Sequence, residues 1–124
     1  MDTTLKITQE QVQGIVPVTV FRLRGWLDAQ GEESLLAAAR DSYDAGSRFL
    51  LLDLSEVDTL TSAGMRAMQK VYKIYTPSNE RPKMSYVKLC NAPTEIYNVL
   101  GVTGFLLTIQ NYETLQSAIN SFGE

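Results

Sequence analysis

The run Phe49-Leu50-Leu51-Leu52-Asp53-Leu54 is apolar at every position except Asp53. A strand with one face in water alternates polar and apolar side chains. An unbroken run marks a strand covered on both faces, as found at the centre of a parallel or mixed sheet wrapped by helices. The residues that follow, Ser55-Glu56-Val57-Asp58-Thr59-Leu60-Thr61-Ser62, form a hydroxyl-rich turn. Beyond it the apolar period becomes helical: Met65, Met68, Val71, Tyr72 and Tyr75 share one face, and Arg66, Gln69, Lys70 and Lys73 share another. This helix is expected to stop near Thr76-Pro77.

The rest of the chain supplies neighbours for that central strand. Residues 5–12 and 16–24 read as a hairpin around Gly14 and Pro17, and Gly25-Trp26-Leu27-Asp28 closes its second strand. A helix over residues 32–45 carries Leu35, Leu36, Ala39 and Tyr43 at spacings of three to four and ends at Gly46. Residues 78–82 form a polar loop bounded by prolines, and a strand over 84–90 follows. Pro93 suits the first turn of a short helix reaching Leu100. A last strand over 106–110 and a terminal helix over 112–122, with Leu115, Ala118 and Ile119 inward, complete the order. Strands alternating with helices after an opening hairpin predict an α/β fold: a mixed, mostly parallel sheet of about five strands with about four packed helices. With 124 residues, 44% of them hydrophobic, a single domain spanning 1–124 is expected.

Several functions are disfavoured by residue types alone. Acidic residues outnumber basic ones, 14 to 11, which disfavours nucleic acid and anionic membrane surfaces as partners. The first residues lack a basic segment leading into an apolar one, and no apolar stretch approaches the ~20 residues of a membrane span, so a cytoplasmic protein is expected. Cys90 is the only cysteine, leaving no CxxC pair and suggesting a small buried hydrophobe. Histidine is absent, which removes Ser-His-Asp and Cys-His nucleophiles and the HExxH zinc motif. No enzyme activity, cofactor or metal is therefore expected.

The turn before the second helix is where function is sought. A hydroxyl at Ser62 or Thr61 can cap the helix, a role that contributes about 1 kcal/mol. The same helix start favours negative charge through its free amides and dipole. Asp28 either caps the preceding helix or shapes a binding surface with the turn. Glu56 and Asp58 are solvated loop acids or an acidic rim. Arg66, Lys70 and Lys73 are a solvated face or a contact for acidic residues. Gly64 sits just inside the helix, where alanine is usually better by about 1 kcal/mol, so close packing or access is expected there.

The order of elements resembles that of the STAS domains, and within them the bacterial anti-sigma factor antagonists. Three segments carry the resemblance: Gly25-Trp26-Leu27-Asp28, the stretch from Leu52-Asp53-Leu54-Ser55-Glu56-Val57 through Thr61-Ser62-Ala63-Gly64-Met65, and Asn98-Val99-Leu100-Gly101-Val102-Thr103-Gly104-Phe105. The resemblance implies a non-enzymatic regulator in which Ser62 is phosphorylated by a GHKL-type serine kinase that doubles as the anti-sigma factor. The unphosphorylated antagonist binds this kinase and frees the sigma factor, and a PP2C-type phosphatase resets the cycle. Asp28, Asp58, Thr59, Thr61, Ser62, Ala63, Gly64 and Arg66 would form the partner surface. The family often has an acid before this serine and Ser or Thr after it, where this chain has Thr61 and Ala63. The alternative within the same fold is a STAS scaffold that is never phosphorylated, such as a subunit of a lipid-transport ATPase or a signalling complex.

Overall fold

The computed structural model describes residues 3–77 and 85–123. β1 (Lys6–Gln13) and β2 (Pro17–Leu27) form the antiparallel hairpin, in register from Lys6 with Arg24 to Gln13 with Pro17. β2 pairs in parallel with β3 (Leu50–Leu60), β3 with β4 (Val87–Cys90), and β4 with the two-residue β5 (Asn111–Tyr112). The five strands lie side by side in sequence order. The connections are α1 (Ala29–Asp44), α2 (Ser62–Tyr75) and α3 (Thr94–Val102) with a short 3-10 turn (Phe105–Leu107); α4 (Leu115–Ser121) follows β5.

Alternation along β3 divides the core. Leu50, Leu52 and Leu54 enter the larger cluster with Leu35 and Ala39 of α1 and Met68 and Val71 of α2, whereas Leu51 enters a second cluster with Val18, Val20, Ala118, Ile119 and Phe122. The central strand is thus covered on both faces, as its unbroken apolar run demands. Each fully buried leucine contributes about 1.5–3 kcal/mol. The C-terminal end of α2 is tied down by a polar chain: the Tyr75 hydroxyl donates to Ser47 Oγ at 2.9 Å, which lies 2.8 Å from Thr19 Oγ1.

The sequence-based boundaries need correction in several places. β3 continues to Leu60, well past residue 54, because the C-terminal half of β2 pairs with it: Arg24 with Glu56, Gly25 with Val57, Trp26 with Thr59 and Leu27 with Leu60, with two shifts of register. The outward Ser55, Glu56 and Asp58 made this half look like a turn. α1 starts at Ala29, three residues ahead of the expected start, on the cap provided by Asp28. Residues 106–110 are not a strand. Phe105 and Ile109 are buried four residues apart while Leu107 is exposed, which is the spacing of a helical turn, and β5 follows at Asn111. Tyr112 therefore belongs to β5, and α4 starts at Leu115 after Thr114 Oγ1 accepts from the Ser117 amide at 3.1 Å. The expected loop over 78–82 and the strand start at Met84 lie outside the described residues, and β4 is seen from Val87.

Candidate functional site

In a parallel pair both strands end at the same edge, so β2 and β3 deliver the starts of α1 and α2 next to each other. Ligand and partner contacts in α/β sheets favour this carboxyl edge. Leu27, the last residue of β2, joins the two helix starts. Its carbonyl accepts from the Thr61 amide at 3.1 Å. A Cβ built on Gly64 would stand 2.0 Å from that same oxygen and 2.7 Å from its carbon. Only glycine lets the first turn of α2 sit so closely on the end of β2, which answers the packing cost noted at this position.

The cap of α2 is Thr61. Its backbone is extended, with φ −104° and ψ 171°, and its Oγ1 accepts from the Gly64 amide at 3.2 Å. Ser62 is the first helical residue; it is exposed, and its hydroxyl makes no hydrogen bond among the described residues. The structural task open to either hydroxyl therefore falls on Thr61, and Ser62 carries none. The amides of Ser62 and Ala63 lie in the first turn, where a helix has no acceptor of its own for them. Arg66 is exposed four residues on, so it shares the helix face of Ser62.

Asp28 caps α1, its Oδ1 accepting from the amides of Gln30 and Gly31, each at 3.1 Å. It follows Leu27 directly and so borders the Thr61–Ser62 turn. Thr59 is half-buried in β3 opposite Trp26, Asp58 is exposed beside it, and Ala63 is half-buried. Glu56 faces Arg24 at 3.9 Å, both largely in water, a pairing that contributes little. The expected basic strip is divided: Lys70 pairs with Glu32 of α1, whereas Arg66 and Lys73 make no ion pair among the described residues; all three side chains are exposed.

Away from the edge, Cys90 is buried in the second cluster, and burial, reinforced by the negative charge of Asp53, pushes its thiol up to about 12. Such a thiol stays protonated at neutral pH and packs as a small hydrophobe. Asp53 is held by the Ser55 amide at 3.0 Å and by Asn91 Nδ2 at 3.4 Å. No helix among the described residues is long and apolar enough to cross a membrane. Trp26, Val102 and Leu107, none of them a candidate on sequence grounds, are large apolar side chains left exposed. The signal for Trp26 was its alternation with the inward Leu27.

The STAS domain model matches residues 6–118. Over 118 residues the chain is 25% identical to a Bordetella bronchiseptica protein, BtrV, named as an anti-sigma factor antagonist, and the match covers 95% of each. Its fold superposes on the crystal structure of an anti-sigma factor antagonist from Mycobacterium paratuberculosis with a TM-score of 0.75 at 22% identity, covering 100% of this chain and 98% of that one. It also superposes on the anti-sigma factor antagonist SpoIIAA in its unphosphorylated form, with a TM-score of 0.72 at 17% identity over 93% of this chain and 94% of that one. SpoIIAA has been solved in a phosphorylated form as well, with a TM-score of 0.66 at 16% identity, covering 93% and 97%.

Proposed function

The chain belongs to the STAS domain family, and from that membership we propose that it is an anti-sigma factor antagonist, a non-enzymatic regulator switched by phosphorylation of Ser62. Its unmodified form binds a GHKL-type serine kinase that is also the anti-sigma factor, and so frees the sigma factor. Phosphorylation releases the kinase, and a PP2C-type phosphatase restores the binding form. The observation that carries this reading is the division of labour in the turn: Thr61 caps α2, and the Ser62 hydroxyl is exposed and unengaged among the described residues.

The physics of a phosphate at this position is favourable to the fold and unfavourable to the complex. A group of roughly −1.5 to −2 charge at the first helical residue meets the positive end of the helix dipole and two amides without helical acceptors. Arg66, on the same helix face, adds a counter-charge within reach of one turn. The fold therefore tolerates the phosphate. A partner packed over the turn would have to strip water from that charge, and binding weakens. Thr59, Thr61 and Ala63 with Asp28, Asp58 and Arg66 make up the surface it would cover; Gly64, expected among them, is buried against the Leu27 carbonyl and serves only to position the turn.

The test is to incubate the chain with a purified GHKL-type serine kinase of the same organism and ATP, and to follow intact mass for the native protein and Ser62→Ala. One added phosphate on the native chain and none on Ser62→Ala is expected. A kinase that binds tightly yet modifies neither Ser62 nor its neighbours would sink the switch and leave the STAS scaffold.

A further inference from the structure

Two apolar outcrops stand on either side of the Ser62 turn, and core packing accounts for neither. On the β2 side is Trp26, the sole tryptophan, 39% exposed and belonging to neither core cluster. Leu27 points into the larger core, so the neighbouring Trp26 side chain leaves the opposite face of the sheet. Trp26 is also held in place relative to the turn, being in register with Thr59 and directly before the residue whose carbonyl binds the Thr61 amide.

On the other side, α3 ends in Val102, 89% exposed, and the 3-10 turn ends in Leu107, 92% exposed. Between them Thr103 reaches back to the first turn of α2, its Oγ1 lying 3.6 Å from Met65 Sδ. The strand order fixes the arrangement: β3, which leads to Ser62, has β2 on one flank and on the other β4, which runs into α3.

Single exposed hydrophobics are ordinary. Here Trp26 is in register with Thr59 on one flank, and on the other Val102 adjoins Thr103, which touches Met65 in the first turn of α2. Apolar side chains thus occur on both flanks of the strand and helix start that carry the proposed acceptor. We propose that Trp26 on one side and Val102 with Leu107 on the other are the apolar anchors on which the Ser62 kinase seats, so that the partner straddles the turn. The inference rests on Ser62 being the phosphoacceptor. A stable complex covers about 800 Å² on each partner, some 20–30 residues, so a kinase that reaches Ser62 also covers what flanks it. Exposed tryptophan is the residue type most enriched among side chains that dominate such interfaces. The polar turn then lies at the centre of the footprint, where added phosphate interferes most.

The anchors are tested with the full chain and the purified kinase that phosphorylates it. Tryptophan emission of the chain is followed through Trp26 in complex with a Trp-free form of the kinase, and affinity is measured for Trp26→Ala and for Val102→Ser/Leu107→Ser. A blue shift on binding is expected, with losses of affinity of ~10-fold or more in each variant, while thermal melting stays near that of the native chain because these side chains are exposed. Unchanged emission and affinity, with Ser62 still phosphorylated, overturn the anchors and spare the switch. A native chain that is not bound or phosphorylated overturns both. A blue shift that grows with chain concentration in the absence of kinase overturns the kinase as occupant and assigns the outcrops to a second copy.

Discussion

The Leu27 carbonyl and Gly64 approach so closely that no side chain fits between them: a Cβ on Gly64 would lie 2.0 Å from the Leu27 oxygen. This is the contact that sets the first turn of α2, and with it Ser62, against the end of β2. Because the obstacle is backbone rather than a flexible side chain, an added methyl has to displace the helix.

Gly64→Ala is accordingly expected to destabilise the protein by about 2 kcal/mol, the cost of overpacking exceeding the ~1 kcal/mol that alanine otherwise gains in a helix. Urea denaturation measures the loss. Phosphorylation at Ser62 should slow in the same variant, since the turn is no longer held in place.

Thr61 and Ser62 should separate cleanly in stability. Thr61→Ala removes the acceptor for the Gly64 amide and is expected to cost about 1 kcal/mol, whereas Thr61→Ser retains most of it. Ser62→Ala removes a hydroxyl with no hydrogen bond among the described residues and should stay within about 0.5 kcal/mol of the native chain. Equal losses at the two positions would refute the assignment of the cap.

Asp28 offers a parallel case. Its Oδ1 accepts from two amides at the start of α1, so Asp28→Ala is expected to cost about 1 kcal/mol and Asp28→Asn only a few tenths, since asparagine caps about as well. Chemical denaturation of both variants checks this.

Alkaline pH should weaken the fold through Cys90. The thiol ionises near 9.0 in an ordinary setting and is pushed up to about 12 by burial and by the charge of Asp53. Above pH 9 the unfolded chain loses this proton while the folded chain keeps it, so the contribution is full below about pH 9 and is lost as pH rises toward about 12. Tyr75 shifts in the same direction, raised by burial. Thermal melting from neutral pH to pH 11 should fall, and less steeply in Cys90→Ala. Iodoacetamide should leave the native thiol unmodified at neutral pH.

Much of this arrangement is legible in the chain because it rests on local periodicity. Residues 49–54 announce a doubly covered strand, and the stripe through Met68, Val71 and Tyr75 announces the buried side of α2. Gly64 shows as an anomaly in a helix, but its cause, the Leu27 carbonyl, is far away in sequence and appears only in the fold. The second half of β3 was hidden because Ser55, Glu56 and Asp58 face water, and its strand state depends on pairing with β2. Residues 106–110 misled for the opposite reason: their apolar content fits a strand, and only the burial of Phe105 and Ile109 reveals a helical turn. Which hydroxyl caps α2 was equally hidden, since Thr61 and Ser62 are chemically alike until the backbone assigns one of them the extended conformation.

The switch itself is tested most directly by preparing the chain with and without phosphate on Ser62 and measuring, for both forms, affinity for the kinase and thermal melting. The account predicts a melting temperature that changes little and an affinity that drops by at least ~10-fold on phosphorylation. Equal affinity of the two forms, or a lost affinity that merely tracks unfolding, would contradict it.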